Sequence, residues 1–278
     1  MDKPLACDSL RYSIFDPTGN IIALVETPVA ISAQPAAAAS IMRRHPEVEQ
    51  VGFVRLARSS AEETVDAELR MAGGEFCGNA SMSAGALLLL RRGGKTAGEQ
   101  KLRLRVSGAS RPVELRLREE GEKTFRAGVC MPRALAIEEQ DFAFADLRGR
   151  LKLVRMQGIS HIVIPESSPF FTLKEERERA EAAVRAWCGA LSAECLGLMF
   201  LENGERLTPL VYVPGSGTVF WESSCASGTA AVGMALAVEE AGPVSLALLE
   251  PGGSLRVESD PVTGETWLYG QTRLTEER

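Results

Sequence analysis

Two cysteines hold the residues that could do chemistry. Cys77 stands in Gly73-Gly74-Glu75-Phe76-Cys77-Gly78-Asn79-Ala80-Ser81, and Cys225 in Trp221-Glu222-Ser223-Ser224-Cys225-Ala226-Ser227-Gly228-Thr229. Each motif runs on into small apolar residues that read as a buried helix. Set Cys on Cys, Asn79 aligns with Ser227, Ser81 with Thr229, Gly85 with Gly233 and Leu88 with Leu236. This diffuse repeat points to two similar halves, each presenting one thiol at a helix N-terminus. The first N–H groups of a helix have no intrahelical partner, and the helix dipole places partial positive charge there. A thiolate is favoured at such a point, so each thiol is expected to ionise below its free pKa of about 8.5. The same N–H groups can hold a carboxylate, and small residues let it approach the backbone. One such helix makes a reactive cysteine. Two facing each other make an acid/base pair on opposite sides of one bound carboxylate.

The elements that must position these thiols follow from the hydrophobic pattern. Strands are expected at 12–16 and 21–25 around the turn Pro17-Thr18-Gly19-Asn20, then at 51–54 and 65–71. An Ala-rich helix is expected over 35–44, stopped by Pro46. Residues 102–106 and 113–117 alternate strictly and predict a strand pair with Ser107-Gly108-Ala109-Ser110 as its turn. Glu119-Glu120-Gly121-Glu122-Lys123, charged and Gly-containing, is the candidate boundary. Beyond it, strands are expected at 125–130, 151–155, 161–165, 207–213, 244–249, 254–259 and 266–269, with a charged amphipathic helix over 174–188. The loop Pro214-Gly215-Ser216-Gly217 precedes the second cysteine motif.

Bulk properties narrow the class. The chain has 278 residues, 45% hydrophobic and 24% charged, enough for one large or two ordinary cores. A net charge of −6 argues against a nucleic-acid binder. No run reaches the ~18 apolar residues of a membrane span. The N-terminal residues Met1-Asp2-Lys3-Pro4 lack a signal-peptide core, so the expected location is the cytoplasm, with the six cysteines as free thiols. Two histidines give no metal-ligand cluster.

Together these motifs resemble the diaminopimelate epimerase superfamily of cofactor-independent amino-acid racemases. Cys77-Gly78-Asn79 and Cys225-Ala226-Ser227-Gly228 carry the resemblance. Thr18-Gly19-Asn20, the segment from Arg43 to Gln50, Gly158-Ile159-Ser160-His161 and Leu268-Tyr269-Gly270 extend it over most of the chain. The resemblance implies an α+β fold of two pseudo-symmetric halves, each a mixed, mostly antiparallel sheet around a central helix. The halves would be residues 1–121, with 265–278 returning to them, and residues 122–264. It also implies a two-base reaction: one cysteine, as thiolate, takes the α-proton of a free amino acid, and the other, as thiol, delivers a proton to the opposite face. No pyridoxal phosphate or metal is implied, and a homodimer is expected by analogy. Diaminopimelate epimerases carry a Glu-Arg pair where this chain has Ser216 and Gly217. The Glu-Phe-Cys-Gly-Asn-Ala and Trp-Glu-Ser-Ser-Cys patterns are more similar to the branch that includes histidine racemases. Diaminopimelate epimerase proper and a proline-type racemase are the alternatives in the class. The phenazine-pathway isomerases share the fold but do not use a cysteine pair. A non-enzymatic alternative is a ligand-binding or thiol redox-sensing protein.

The candidate catalytic residues are therefore Cys77 and Cys225. Asn20, Gln50, Gly78, Asn79, His161, Glu222, Ala226 and Ser227 are the candidate substrate contacts. Glu49 and Glu222 read equally as solvated carboxylates, and His161 as a structural strand residue or as a group that sets a thiol's protonation. Cys7, Cys130, Cys188 and Cys195 lack the glycine-rich setting and read as incidental thiols. His45 reads as a surface or turn residue, and Gly85 and Gly233 as packing glycines.

Overall fold

The computed structural model describes residues 9–56, 65–93, 98–215 and 217–278; Cys7 and Ser216 fall outside them. The chain forms two compact units, Met1–Cys130 with Tyr269–Arg278, and Met131–Leu268. Glu119–Lys123 is the tight end of a hairpin rather than a linker, and the division falls after Cys130.

The first unit contains β1 (Tyr12–Pro17), β2 (Ile22–Val25), α1 (Gln34–Arg44), β3 (Gln50–Leu56), β4 (Ala67–Met71), α2 (Gly78–Arg92), β5 (Gln100–Val106), β6 (Val113–Gly121) and β7 (Thr124–Cys130). The strands are hydrogen-bonded in chain order. β2–β3 and β4–β5 are parallel; the other consecutive pairs are antiparallel. The C-terminal strand returns and pairs with β1 from Ser13↔Glu277 to Pro17↔Thr272. In β5, Leu102, Leu104 and Val106 are buried and the basic residues between them exposed, as the alternation predicts. All those inward faces meet α2, which packs against each of β1 to β7.

The second unit contains β8 (Ala136–Phe144), β9 (Leu147–Met156), β10 (Ile159–Pro165), α3 (Arg177–Leu191), β11 (Leu196–Glu202), β12 (Arg206–Val213), β13 (Thr218–Trp221), α4 (Ala226–Glu239), β14 (Val244–Glu250), β15 (Gly253–Asp260) and the first residues of β16 (Glu265–Glu277). The strand order is β15-β14-β12-β11-β10-β9-β8, with β13 on β12 and β10–β11 parallel. α4 packs on β8 to β11 and most closely on β14 and β15. α3 covers the other face, where Trp187 meets Phe142, Phe144 and Phe170 edge to face.

Both cysteine-headed helices are buried because no side of them is polar enough to face water. Residues Gly78 to Leu89 of α2 are all buried, and α4 is buried from Ala226 to Ala237 except at Ser227 and Leu236. The glycines set the helix–sheet distance. A Cβ on Gly85 would lie 2.8 Å from Leu115 Cδ1, and one on Gly233 would lie 2.5 Å from Val257 Cγ2. No helix among the described residues is long and apolar enough to cross a membrane.

Candidate active site

Cys77 is the N-cap of α2, with extended backbone (φ −133°, ψ 115°). Its sulfur accepts the N–H of Ala80 at 3.3 Å, the bond that Ser or Asp makes at an ordinary helix start. Its thiol also donates to Gln50 Oε1 at 2.9 Å. Gln50 opens β3, and the preceding residue, Glu49, accepts a hydrogen bond from Asn20 Nδ2 at 2.7 Å. Asn20 is held by the β1–β2 turn. Thr18 and Gly19 take left-handed backbone there (φ 57° and 85°), and Gly19 N–H donates to Asp16 Oδ1 at 2.7 Å. Asn20 is buried, and its Oδ1 has no hydrogen-bond partner among the described residues. Gly78 and Asn79 occupy the first two helical positions and are buried. The first unit thus brings Asn20, Glu49, Gln50, Cys77, Gly78 and Asn79 to one end of the α2 helix. Glu49 is half-buried and hydrogen-bonded to Asn20.

Cys225 caps α4 in the same way (φ −124°, ψ 100°), its sulfur accepting Gly228 N–H at 3.4 Å. Ser227 Oγ lies 3.6 Å from that sulfur and 3.0 Å from His161 Nε2. Glu222 hydrogen-bonds the thiol. Ala226 is the first helical residue and is buried. Met199 of β11 fills the space beside Gly228: a Cβ there would sit 2.1 Å from Met199 Sδ and 3.1 Å from Cys225 Sγ. The second unit thus brings His161, Glu222, Cys225, Ala226 and Ser227 together.

Electrostatics depart from the simple helix-dipole expectation. The Cys225 thiol is pushed well above its ordinary pKa, first by burial and then by the charge and hydrogen bond of Glu222. Desolvation and a neighbouring carboxylate outweigh the amide-rich helix end, so Cys225 rests as a thiol. His161 is fully buried at the strand start, and burial alone pulls its pKa down to about 3. It is a neutral ring, so it orients Ser227 and offers no positive charge to a thiolate.

Two residues escape the sequence reading. Glu250, the last residue of β14, is 3% exposed. Its carboxylate accepts the backbone N–H of Cys225 at 2.7 Å and the hydroxyl of Thr229. The signal was present: in 244–249 the even positions point inward, and Glu250 continues that parity. Met199 lies on β11, a strand that is apolar on both faces. His45 is buried rather than exposed, its Nε2 2.9 Å from Tyr12 Oη and its Nδ1 3.2 Å from Glu47, because it caps the end of α1 over the β1 core. Cys188 is buried and donates to Ala193 O at 3.3 Å, as an incidental thiol would.

This is the fold of the racemases and epimerases. The structure aligns with a hydroxyproline epimerase from Agrobacterium vitis at a TM-score of 0.65 and 12% identity, over 97% of this chain and 91% of that one. Sequence comparison goes further. A histidine racemase from Fusobacterium nucleatum subsp. nucleatum is 32% identical over 233 residues, covering 81% of this chain and 79% of its own. One from Staphylococcus aureus is 28% identical over 253 residues, 90% of this chain and 88% of its own. Residues 9–267 match the family described as "Histidine racemase CntK N-terminal domain", and the chain belongs to that family. It is an isomerase that racemises amino acids.

Proposed function

We propose that the protein racemises free histidine, or a close analogue, by a two-base reaction in which Cys77 and Cys225 act on opposite faces of one α-carbon. The observation that carries this reading is the shared build of the two units: in each, a cysteine caps a buried helix and accepts the N–H of the third helical residue. Histidine follows from the names of the relatives at 32% and 28% identity. In this reading the two units are pseudo-symmetric halves, and the helix ends at Gly78-Asn79 and Ala226-Ser227 hold the substrate carboxylate. Their amides are in place before the reaction and take up the charge that the carbanion spreads into that carboxylate. Asn20, Gln50, Glu222 and His161 complete the polar lining.

Burial and Glu222 hold Cys225 as a thiol in the resting enzyme. It therefore delivers the proton in the direction in which Cys77, as thiolate, removes one. Gln50 Oε1, which accepts from the resting Cys77 thiol, loses that bond when the thiol ionises. After one turnover the roles are exchanged, and reversal or proton exchange with solvent resets them. The reaction needs neither pyridoxal phosphate nor metal in this reading. The enzyme is proposed to work in the cytoplasm as a homodimer.

A panel of L-amino acids incubated with the enzyme in heavy water and read for α-deuterium tests the class and the substrate together. Histidine is expected to exchange and to racemise, and Cys77→Ala or Cys225→Ala to lose at least a thousandfold in racemisation. Exchange of another amino acid in preference to histidine overturns the substrate, with proline and diaminopimelate included for that purpose. Undiminished racemisation by both single variants overturns the two-thiol mechanism. A redox sensor would exchange nothing and would lose free thiols on mild oxidation.

A further inference from the structure

We infer that Glu250 is a positioning residue for Cys225: its buried side chain ties the cysteine's backbone to β14 and so fixes where the thiol stands. The inference rests on the proposed role of Cys225. An ordinary helix start satisfies the N-cap's own N–H through a Glu or Gln at the third helical position, whose side chain reaches back. In α4 that position is Gly228. It cannot carry a side chain, because Met199 Sδ and Cys225 Sγ already occupy the space where its Cβ would stand. The missing acceptor comes from another element. Glu250 takes the Cys225 N–H at 2.7 Å and binds the hydroxyl of Thr229, one turn along the helix. The same β14–β15 hairpin also donates Gly252 N–H to Ser223 O at 2.7 Å, so the segment from Ser223 to Cys225 is braced at two points.

The arrangement has an electrostatic consequence. Glu250 carries no salt bridge to a lysine or arginine among the described residues. The titratable groups that face it are Glu222 and Cys225; burial raises the thiol's pKa most, Glu222 next, and Glu250 when ionised adds to the same direction. Burial in turn pushes Glu250 up to about 8. A carboxylate this deep is costly. Two hydrogen bonds from the helix start offset part of that cost, and they hold only while the cap geometry holds.

Glu250→Gln removes the charge and one acceptor while keeping the shape. Three readouts follow: kcat and KM for racemisation, their pH dependence, and the pH midpoint of Cys225 alkylation by iodoacetamide, resolved from the other thiols by peptide mass spectrometry. The expected result is a kcat at least tenfold lower with KM changed less than threefold, an altered alkaline limb, and an alkylation midpoint at least half a pH unit lower. Glu250→Asp, which restores the charge, is expected to return the midpoint towards that of the wild type. A Glu250→Gln enzyme with unchanged kcat and midpoint overturns the inference. So does one in which kcat and melting temperature fall together with the midpoint unmoved, the mark of a structural residue alone. If Glu250→Gln does not fold, Thr229→Val carries the test: it removes one anchor and leaves the carboxylate, and an unchanged kcat sinks the inference. The alkylation midpoint needs no turnover, so it separates failure of this inference from failure of the racemase reading.

Discussion

At the scale of single residues, burial decides protonation, and two buried groups are shifted towards their neutral forms. His161 falls from 6.5 to about 3, and Glu250 rises from 4.5 to about 8, each mainly through desolvation. The linkage signs are opposite. Unfolding lets His161 take up a proton below pH 6.5, so its contribution to stability is complete above 6.5 and is lost as pH falls towards 3. Unfolding lets Glu250 release a proton above 4.5, so its contribution is complete below 4.5 and is lost as pH rises through 8. Each fully active slope is about 1.4 kcal/mol per pH unit. The two oppose between 4.5 and 6.5, which predicts a plateau there with a fall on either side. Thermal unfolding followed from pH 4 to pH 9 checks this. His161→Gln is expected to flatten the acid side and Glu250→Gln the alkaline side; a wild-type profile unchanged in both variants refutes the assignment. Gly197 belongs to the same argument. It pairs with His161 across β10 and β11, and a Cβ there would lie 2.4 Å from His161 Nδ1. The ring therefore stands where it does because its neighbour has no side chain.

At the scale of elements, the two buried helices depend on glycines for closeness rather than flexibility. Gly233→Ala gains roughly 1 kcal/mol of helix propensity. It also drives a methyl to 2.5 Å from Val257 Cγ2, on a side chain that is completely buried and has no free space to move into. Overpacking of this kind costs about 1–3 kcal/mol, so the net effect is a loss. Gly189→Ala in α3 is the matched control: the site is exposed, nothing lies within 4 Å, and the backbone is helical. A gain of about 0.5–1 kcal/mol is expected there. Chemical denaturation of the pair checks both signs, and a stabilised Gly233→Ala would show that the helix can move off the sheet. The element pattern was largely legible in the sequence, because alternation and caps are local signals. β5, β6 and α1 fall where strict alternation and the Pro46 stop put them. β8 and β13 were not legible: both lie at the margins of the sheet and have weak apolar faces, β8 with one buried residue, Phe142, and β13 with none. β11 is buried on both faces, so its Leu-Gly-Leu-Met-Phe-Leu run has no period of two to reveal a strand. The site was half legible. Cap cysteines announce themselves by spacing, but an acceptor such as Glu250 is brought to its cysteine by the β14–β15 hairpin, 25 residues away.

At the scale of the whole chain, the last strand ties the ends of the sequence together. β16 starts within the second unit and finishes within the first, where it pairs with β1 from Ser13↔Glu277 to Pro17↔Thr272. It brings three kinds of interaction to the first unit. Leu274 is buried there. Thr272 Oγ1 lies 2.9 Å from the buried hydroxyl of Ser83 on α2. Glu277 binds Arg91 at 2.8 Å, beside the closer Glu26, and the two carboxylates raise the guanidinium pKa while lowering that of Glu277. Removing the strand would leave Ser83 unsatisfied at about 1–3 kcal/mol and would open the ladder on the outer side of β1. A single domain has only about 5–15 kcal/mol to lose. Residues 1–130 expressed alone are therefore expected to show no cooperative melting transition, although they contain Cys77 and the whole of α2. Adding a synthetic peptide of residues 265–278 is expected to restore a transition whose midpoint rises with peptide concentration, by the mass-action dependence of any ligand that binds only the folded state. Circular dichroism with hydrogen exchange at β1 reads both outcomes. A fragment that melts cooperatively without the peptide, with β1 amides protected, would mean that the first unit does not need the returning strand.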